Sequence, residues 1–503
     1  MLCFLGILRI EGAPGDSFAR SSPEAEGIDS AGVLALVDDL EKNVDAVHSL
    51  VLVRHGKVVA EGWWSPYAAD DVHILYSVTK SFTATAVGLA AAEGLLDVND
   101  RVISFFPEIA PAKPSEHLKA MRIRDLLRMN SGHQDDTIDR LRTHTDGQWR
   151  RAFLGLPVEN KPGTRFVYNS GGAYMLAAIV QKVSGQTVEA FLTPRLFSPL
   201  GINRHPWYLS DEGVALGDGG LSLTTEDLAK FGQLYLQKGL WHGKRVLPEQ
   251  WVEAAGSLQT SNGGDPASDW DAGYGYQFWR NRTTGYRADG AQGQFCLILP
   301  EYDVVLAITS GTGNTKGILD AVWSRLLPAL RVNALPDNAA VEAKLTRRLE
   351  SLALPIVDGV DSTPRAKEVS GRTYVFSENE QGIQTVRLDL GGANPVITFK
   401  DKDGIHPISC GLGRWLRGTT TFRKRISHMW DAGQQGMAAC AAWTDVDAFT
   451  AKFCFDETPF IITARLKFEG DHLLLNIDHN QRWGERHRPQ IVGQLVSDPG
   501  RKG

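Results

Sequence analysis

The last third of the chain alternates apolar and polar positions. Residues 385–390 read Thr-Val-Arg-Leu-Asp-Leu, and the same two-residue period returns at residues 462–468 and 473–478. This period predicts antiparallel strands with one buried face. We therefore expect residues 370–492 to form a small all-β barrel or sandwich.

The first two thirds combine short apolar runs with helical patterns. Residues 49–54 and 57–63 predict two strands joined by a tight turn at His55-Gly56, and residues 295–299 and 304–309 predict a second pair. The sequence between the two pairs is mainly helical. Strands near both ends favour an α/β (α+β) fold, in which one antiparallel sheet is flanked by helices and interrupted by a helical insertion.

Changes in these patterns divide the chain into four parts. Residues 1–30 are an N-terminal lead-in, either poorly ordered or a strap, and residues 31–335 form the sheet-and-helix domain. Residues 336–366 are a helical linker, and residues 367–495 are the antiparallel β-barrel domain.

Composition excludes several classes of function. The 503 residues carry a net charge of −6, which argues against nucleic acid or an anionic membrane as the main partner. The 13 histidines show no His-Glu-x-x-His spacing and the five cysteines no Cys-x-x-Cys pair, so we expect neither a metal nor another cofactor.

The cysteines and the chain start bear on location. Five scattered cysteines favour a reducing compartment, and no apolar run approaches the length of a membrane span. The first ten residues make a poor signal peptide because they lack a basic start and a clear cleavage site. We expect a cytoplasmic protein; a periplasmic or secreted one is the alternative if the true N-terminus carries a signal peptide.

The candidate chemistry starts at Ser77 and Lys80. The sequence predicts a helix with Ser77 in its first turn and Gly94 just past its end. Residues three apart share a helix face, so a hydroxyl lies beside an amine, as a nucleophile lies beside a base. The helix N-terminus also offers free N–H groups and favours developing negative charge. Alone, this spacing arises by chance in most long chains.

Four further blocks follow Ser77-x-x-Lys80 in order. They are residues 123–133, 166–174, 219–232 and 286–295, which include a Tyr-x-Ser loop and a Gly-rich strand. Together the five blocks resemble the serine β-lactamase/penicillin-binding-protein-like hydrolases. The branch they resemble holds class C β-lactamases, D-aminopeptidases, nylon-oligomer-type amide hydrolases and family VIII esterases. The resemblance covers roughly residues 25–332.

The resemblance implies roles for individual residues. Ser77 matches the acylated nucleophile, Lys80 its partner base, and Tyr168 the tyrosine that protonates the leaving group and later activates water. Whether Lys80 or Tyr168 is the general base stays open. The backbone N–H groups of Ser77 and Gln294 are assigned to the oxyanion hole. The residues assigned to substrate binding are Ser170, Asp289, Gly290, Ala291, Gln292 and Gly293.

One departure from the family shapes the functional prediction. The Lys of the family's Lys-Thr-Gly strand is missing, whether residues 288–290 or 291–293 are the counterpart. That Lys helps to hold the carboxylate of a β-lactam, so its absence favours a small ester or amide as the substrate. A D-aminopeptidase or β-lactamase, and a non-catalytic penicillin-binding or sensor protein, are the alternatives. The C-terminal domain resembles the lipocalin-like barrels of some members, which cap the cleft or mediate oligomers, so a homo-oligomer stays open.

Overall fold

The computed structural model describes residues 17–144, 146–422, 433–480 and 487–496. The α-helices are α1 (Ser30–Asn43), α2 (Thr79–Ala92), α3 (Glu116–Ala120), α4 (Ile123–Leu127), α5 (Ile138–Arg142), α6 (Trp149–Gly155), α7 (Ser170–Ser184), α8 (Val188–Leu192), α9 (Thr225–Leu236), α10 (Glu249–Gly256), α11 (Thr315–Ala321), α12 (Ala339–Glu350) and α13 (Pro364–Val369). No helix in these ranges is long and apolar enough to cross a membrane.

The strands fall into two groups. Those of the first domain are β1 (Ala19–Arg20), β2 (Val47–Arg54), β3 (Lys57–Trp63), β4 (His73–Ile74), β5 (Ser222–Leu223), β6 (Leu240–Trp241), β7 (Lys244–Arg245), β8 (Trp279–Arg280), β9 (Tyr286–Gly290), β10 (Gln294–Leu299) and β11 (Val304–Ser310). Those of the second domain are β12 (Thr373–Phe376), β13 (Thr385–Asp389), β14 (Val396–Asp401), β15 (Gly404–Ser409), β16 (Gly411–Leu412), β17 (Leu416–Thr420), β18 (Gln435–Asp445), β19 (Ala448–Cys454), β20 (Ile461–Glu469), β21 (His472–His479) and β22 (Ile491–Leu495).

The central sheet joins strands from both ends of the first domain. Its order is β1-β3-β2-β11-β10-β9-β8, and β11 pairs antiparallel with β2. Both faces are covered: Val51 and Val53 pack with the apolar core around α2 and α9, whereas Leu50 and Leu52 pack with the core around α1. This period-two division confirms the predicted α/β fold.

The second domain is a curled antiparallel sheet. Its strands run β15-β14-β13-β12-β22-β21-β20-β19-β18-β16, with β17 on β18, so that the sheet forms a nearly closed barrel. Val386 and Leu388 point into the apolar interior, while Arg387 between them is exposed. The predicted C-terminal barrel is therefore confirmed.

The segments outside the two domains pack against the first one. The lead-in, described from residue 17, adds β1 parallel to β3. In the linker, Leu345 and Leu352 join the apolar core around α1. The exact division into four parts stays a prediction.

The barrel packs directly on the chain segment that precedes Ser77. In the turn between β19 and β20, the carbonyl of Glu457 accepts a hydrogen bond from the Ile74 N–H (2.9 Å), and that of Thr458 accepts one from the Tyr67 hydroxyl (2.8 Å). Ile74 and Tyr76 belong to the same apolar core as the barrel interior.

Candidate active site

Ser77 lies in a 3₁₀ turn and not in the α-helix proper. The turn spans Tyr76–Val78, and α2 begins at Thr79. Tyr76 has a φ of 47°, the left-handed region that a bulky residue rarely adopts. Such a conformation persists only where the surroundings enforce it, and it is typical of functional sites. The 3₁₀ turn runs directly into α2, so Ser77 lies in a short 3₁₀ start of the predicted helix, and the left-handed Tyr76 precedes it.

Ser77 and Lys80 are in direct contact. The Lys80 Nζ donates a hydrogen bond to the Ser77 Oγ at 2.8 Å and a second one to the backbone carbonyl of Asp218, also at 2.8 Å. Lys80 is only 2% exposed, whereas Ser77 is half-buried and so accessible from the cleft. Burial lowers the pKa of Lys80 to about 8, against the opposing effect of the Asp218 and Asp136 carboxylates.

Tyr168 completes the group. The Lys80 Nζ lies 5.0 Å from the centre of the Tyr168 ring. Burial raises the pKa of Tyr168, and its interaction with the Ser77 hydroxyl opposes this only in part. The phenol is therefore neutral at pH 7. Desolvation is the largest cause of this raised pKa.

Two residues that sequence reasoning missed hold Tyr168 in place. Asn169 is the N-cap of α7, and its side-chain oxygen accepts hydrogen bonds from the Gly172 N–H (3.1 Å) and the Thr137 hydroxyl (2.7 Å). Asp136 accepts one from the Ser170 N–H at 2.8 Å. The Asn-Ser pair after Tyr168 is a helix-start signal that could have revealed the cap.

The β9–β10 hairpin forms the wall opposite. A Cβ built on Gly290 would lie 2.3 Å from the Leu75 carbonyl oxygen, so only glycine allows the strand to approach the Ser77 turn this closely. Residues 288–290 are therefore the strand triplet beside Ser77, and residues 291–293 form the turn, where Gln292 and Gly293 have φ of 59° and 84°.

The turn is braced from β11. The Ser310 hydroxyl donates to the Gln292 carbonyl at 2.6 Å, and the Gln294 Nε2 donates to the carbonyls of Ser310 (2.7 Å) and Ala291 (3.1 Å). Gln294 is the first residue of β10 and pairs with Gly290. The structure thus brings Gly290 against the Ser77 turn, and the other assigned residues belong to the same hairpin.

Ser170 and Asp289, both assigned to substrate binding, have different surroundings. Ser170 opens α7, but Lys80 makes no hydrogen bond to it. The Asp289 carboxylate accepts hydrogen bonds from the Arg287 Nε and the Trp270 Nε1, both at 2.9 Å. Arg287 is fully buried, so the pair brings no free positive charge to the cleft.

Aromatic side chains line the same wall. Trp279 is half-buried and stacks on Tyr168 with ring centres 5.5 Å apart. Phe166, also half-buried, packs against Trp279 at 5.9 Å. Within the described residues, no group of three or more His, Cys, Asp and Glu side chains could hold a metal ion.

The first domain is similar in sequence to known proteins. A family model described as Beta-lactamase matches residues 37–326. The chain is similar to the 6-aminohexanoate-dimer hydrolase of Paenarthrobacter ureafaciens, with 28% identity over 291 residues covering 53% of this chain and 74% of that protein. It is also similar to Penicillin-binding protein 4 of Amycolatopsis lactamdurans, with 26% identity over 326 residues covering 57% of this chain and 84% of that protein.

Among solved structures, the octameric penicillin-binding protein homologue from Pyrococcus abyssi aligns with 92% of this chain and 99% of its own, at 18% identity and a TM-score of 0.48. The family model covers more than half of the 503 residues and contains Ser77, Lys80, Tyr168 and the β9–β10 hairpin. This chain belongs to the Beta-lactamase family.

Proposed function

We propose that this protein is a serine hydrolase that cleaves a small ester or amide through an acyl-enzyme on Ser77. The observation that carries the proposal is the 2.8 Å hydrogen bond between the Ser77 Oγ and the buried Lys80 Nζ. A serine attacks a carbonyl only if a base takes its proton, and an amine with a pKa near the working pH is suited to that role.

Lys80 is the general base and Tyr168 the acid in this proposal. Burial brings the pKa of Lys80 down to about 8 and raises that of Tyr168, so near neutral pH the amine gives up its proton more readily than the phenol does. As the bond from Oγ to the acyl carbon forms, the Ser77 proton passes to Nζ. Tyr168 protonates the leaving group and recovers a proton from Lys80. In deacylation the proton transfers run in reverse: the attacking water gives its proton to the Lys80–Tyr168 pair, and Ser77 regains one as the acyl group leaves.

The oxyanion is assigned to backbone N–H groups on the two sides of the cleft. One is the N–H of Ser77, in the 3₁₀ turn that leads into α2, where the helix dipole favours negative charge. The other comes from the hairpin, where Gln294 is the sequence-based assignment and Ala291 follows Gly290 directly. Each such donor contributes roughly 3 kcal/mol to transition-state stabilisation.

The cleft favours a substrate without a carboxylate. The strand triplet beside Ser77 has a buried Ala288 where the family has Lys, and the Asp289 carboxylate is already bonded to Arg287. The half-buried rings of Trp279 and Phe166 suit an apolar acyl or leaving group. The name of the 6-aminohexanoate-dimer hydrolase supports amides as well as esters.

A substrate panel tests the proposal against its alternatives. We expect turnover of p-nitrophenyl butyrate. Hydrolysis of a chromogenic cephalosporin without esterase activity would favour a β-lactamase, and preference for D-amino acid amides would favour a D-aminopeptidase. A permanent adduct with a fluorophosphonate or β-lactam, without product from any substrate, would favour the sensor protein.

The variant Ser77→Ala tests the mechanism itself. We expect it to lose all turnover and all fluorophosphonate labelling by mass spectrometry, because no other group occupies the position of Oγ. Ser81→Ala is the matched control: it removes a hydroxyl from the first turn of α2, one that donates to the Gln277 carbonyl at 2.6 Å. Retained turnover in Ser77→Ala would refute the acyl-enzyme.

The expectations on partners and location belong to the same proposal. With a net charge of −6, we propose a small molecule and not nucleic acid or a membrane as the partner of this site. The cytoplasmic location rests on the scattered cysteines, of which Cys296, Cys410, Cys440 and Cys454 are buried and unpaired. Whether the chain forms a homo-oligomer is measured by light scattering.

A further inference from the structure

Asp218 lies behind the catalytic group, in a turn wedged between two helices. A Cβ built on the preceding Gly217 would lie 2.7 Å from the Cβ of Ala177 in α7 and 3.0 Å from the Thr83 hydroxyl in α2. The turn is therefore fixed by close packing. Its Asp218 is only 6% exposed, and the Asp218 carbonyl accepts the Lys80 Nζ at 2.8 Å.

The Asp218 carboxylate is buried, and no described residue forms an ion pair with it. Other buried carboxylates of this domain have a cation in direct contact, as Asp125 has Arg128 (2.8 Å), Asp227 has Lys230 (2.8 Å) and Asp269 has Arg282 (3.0 Å). Among the described residues, no Lys, Arg or His nitrogen lies within 4.0 Å of the Asp218 carboxylate. Burial of a charged group without a partner is unfavourable, and such groups are typical of functional sites.

Lys80 is the principal positive charge that acts on this carboxylate. Burial raises the pKa of Asp218, and Lys80 is the largest influence in the opposite direction, ahead of Arg142. Conversely, Asp218 is the carboxylate that most opposes the lowering of the Lys80 pKa by burial. The two groups thus influence each other's pKa without a direct bond between their side chains.

The other groups around Lys80 are already engaged. Ser77 accepts its hydrogen bond, and Tyr168 presents a ring face and a neutral hydroxyl. Asp136, ahead of α5, accepts two backbone N–H groups, and Arg142, at the end of α5, donates to Asp139 at 3.1 Å. Asp218 is the charged group left to respond when the charge of Lys80 changes.

We propose that Asp218 is a positioning residue for the general base: its carbonyl aims the Lys80 Nζ at Ser77, and its carboxylate stabilises the ammonium that Lys80 becomes on taking the Ser77 proton. This inference rests on the proposed function. In this step the Oγ–H bond breaks, the N–H bond forms on Nζ, and the new positive charge appears near the Asp218 carboxylate. When the leaving group receives the proton through Tyr168, Lys80 returns to the free amine.

The experiment measures the pH profile of kcat/KM for p-nitrophenyl butyrate with the full chain carrying Asp218→Asn. Without the carboxylate the ammonium is less favoured, so we expect the acid limb of the profile to move to lower pH by on the order of one unit. We expect the high-pH plateau to fall about tenfold, because the weaker base accepts the serine proton less well. Asp218→Ser, which is smaller and keeps the backbone carbonyl, repeats the test if the Asn variant does not fold.

The matched control is Asp227→Asn, which removes a buried carboxylate from α9, away from the cleft. It should lower stability and leave the acid limb in place. An unmoved or upward-shifted limb in a folded Asp218 variant would overturn the inference, as would an equal shift in the control. The proposed function is judged separately: if Ser77→Ala is inactive and only the Asp218 result fails, the acyl-enzyme stands and the role of Asp218 falls.

Discussion

Burial of the Lys80 amine has two measurable effects. It lowers the pKa of the amine, and it makes the free energy of unfolding depend on pH. Burial lowers its pKa from an ordinary 10.5 to about 8. Between those two pH values the unfolded chain holds a proton at Lys80 that the folded chain has released. The free energy of unfolding contributed by this residue therefore rises with pH across that interval. The variant Lys80→Met keeps the length and volume of the side chain and removes the titration.

The magnitude follows from the shift. A change of about 2.5 pKa units corresponds to about 3.4 kcal/mol of folding free energy lost below pH 8. Applied at two pH values, the same relation predicts that the free energy of unfolding of the native chain rises by about 2 kcal/mol between pH 7.5 and pH 9.5 relative to Lys80→Met. The carbonyl of Asp218 loses its donor in the variant, but that loss is the same at both pH values and cancels.

The assay is urea unfolding of both proteins at pH 7.5 and pH 9.5, followed by tryptophan fluorescence. Differences between the two pH values, taken for each protein and then subtracted, isolate Lys80 from every other titrating group. Lys80→Met should also lose acylation by a fluorophosphonate. Equal pH dependence in the two proteins, or a native chain that loses stability relative to the variant as pH rises, would refute the assignment of Lys80 as a buried amine of lowered pKa.

Two further predictions concern the groups on either side of Ser77. Tyr168→Phe removes the proposed acid while keeping the ring that stacks on Trp279, so we expect kcat to fall about 10²–10⁴-fold with little change in urea unfolding; a kcat within threefold of the native value would exclude the acid role. Gly290→Ala places a Cβ 2.3 Å from the Leu75 carbonyl oxygen, so we expect β9 to move away from the Ser77 turn, with a loss of about 1–3 kcal/mol in the free energy of unfolding and a lower kcat/KM. Unchanged activity in a folded Gly290→Ala protein would show that this close approach does not set the site.

Local patterns in the sequence predicted the parts of the site that local geometry builds. Ser77 and Lys80 are three residues apart at a helix start, and the structure places their side chains 2.8 Å apart. The two-residue period of 385–390 predicted the barrel strands in the same way. In both cases residues close in the chain share one face of a helix or strand, so their spacing is enough to predict which side chains lie together.

The rest of the site depends on loops that only the folded chain brings together. Asp136 and Asp218 lie in turns far from Ser77 in sequence, and no pattern around either one indicates that both act on Lys80. The left-handed Tyr76 was equally hidden, because aromatic residues rarely adopt that conformation and packing against the barrel core accompanies it. Asn169 carried a readable signal, as a helix cap directly after Tyr168.

The contact between the barrel and the Ser77 turn has a consequence for how the protein matures during synthesis. Ile74 and Tyr76, just before the nucleophile, are covered by an apolar core whose other members come from the last part of the chain, and the Ile74 N–H bonds the carbonyl of Glu457. A ribosome translates the chain from its N-terminus, so Ser77 emerges long before the residues that enclose its turn. The nascent first domain therefore lacks part of the environment of the Ser77 turn. This turn is expected to reach its final packing only when translation of the chain is nearly complete.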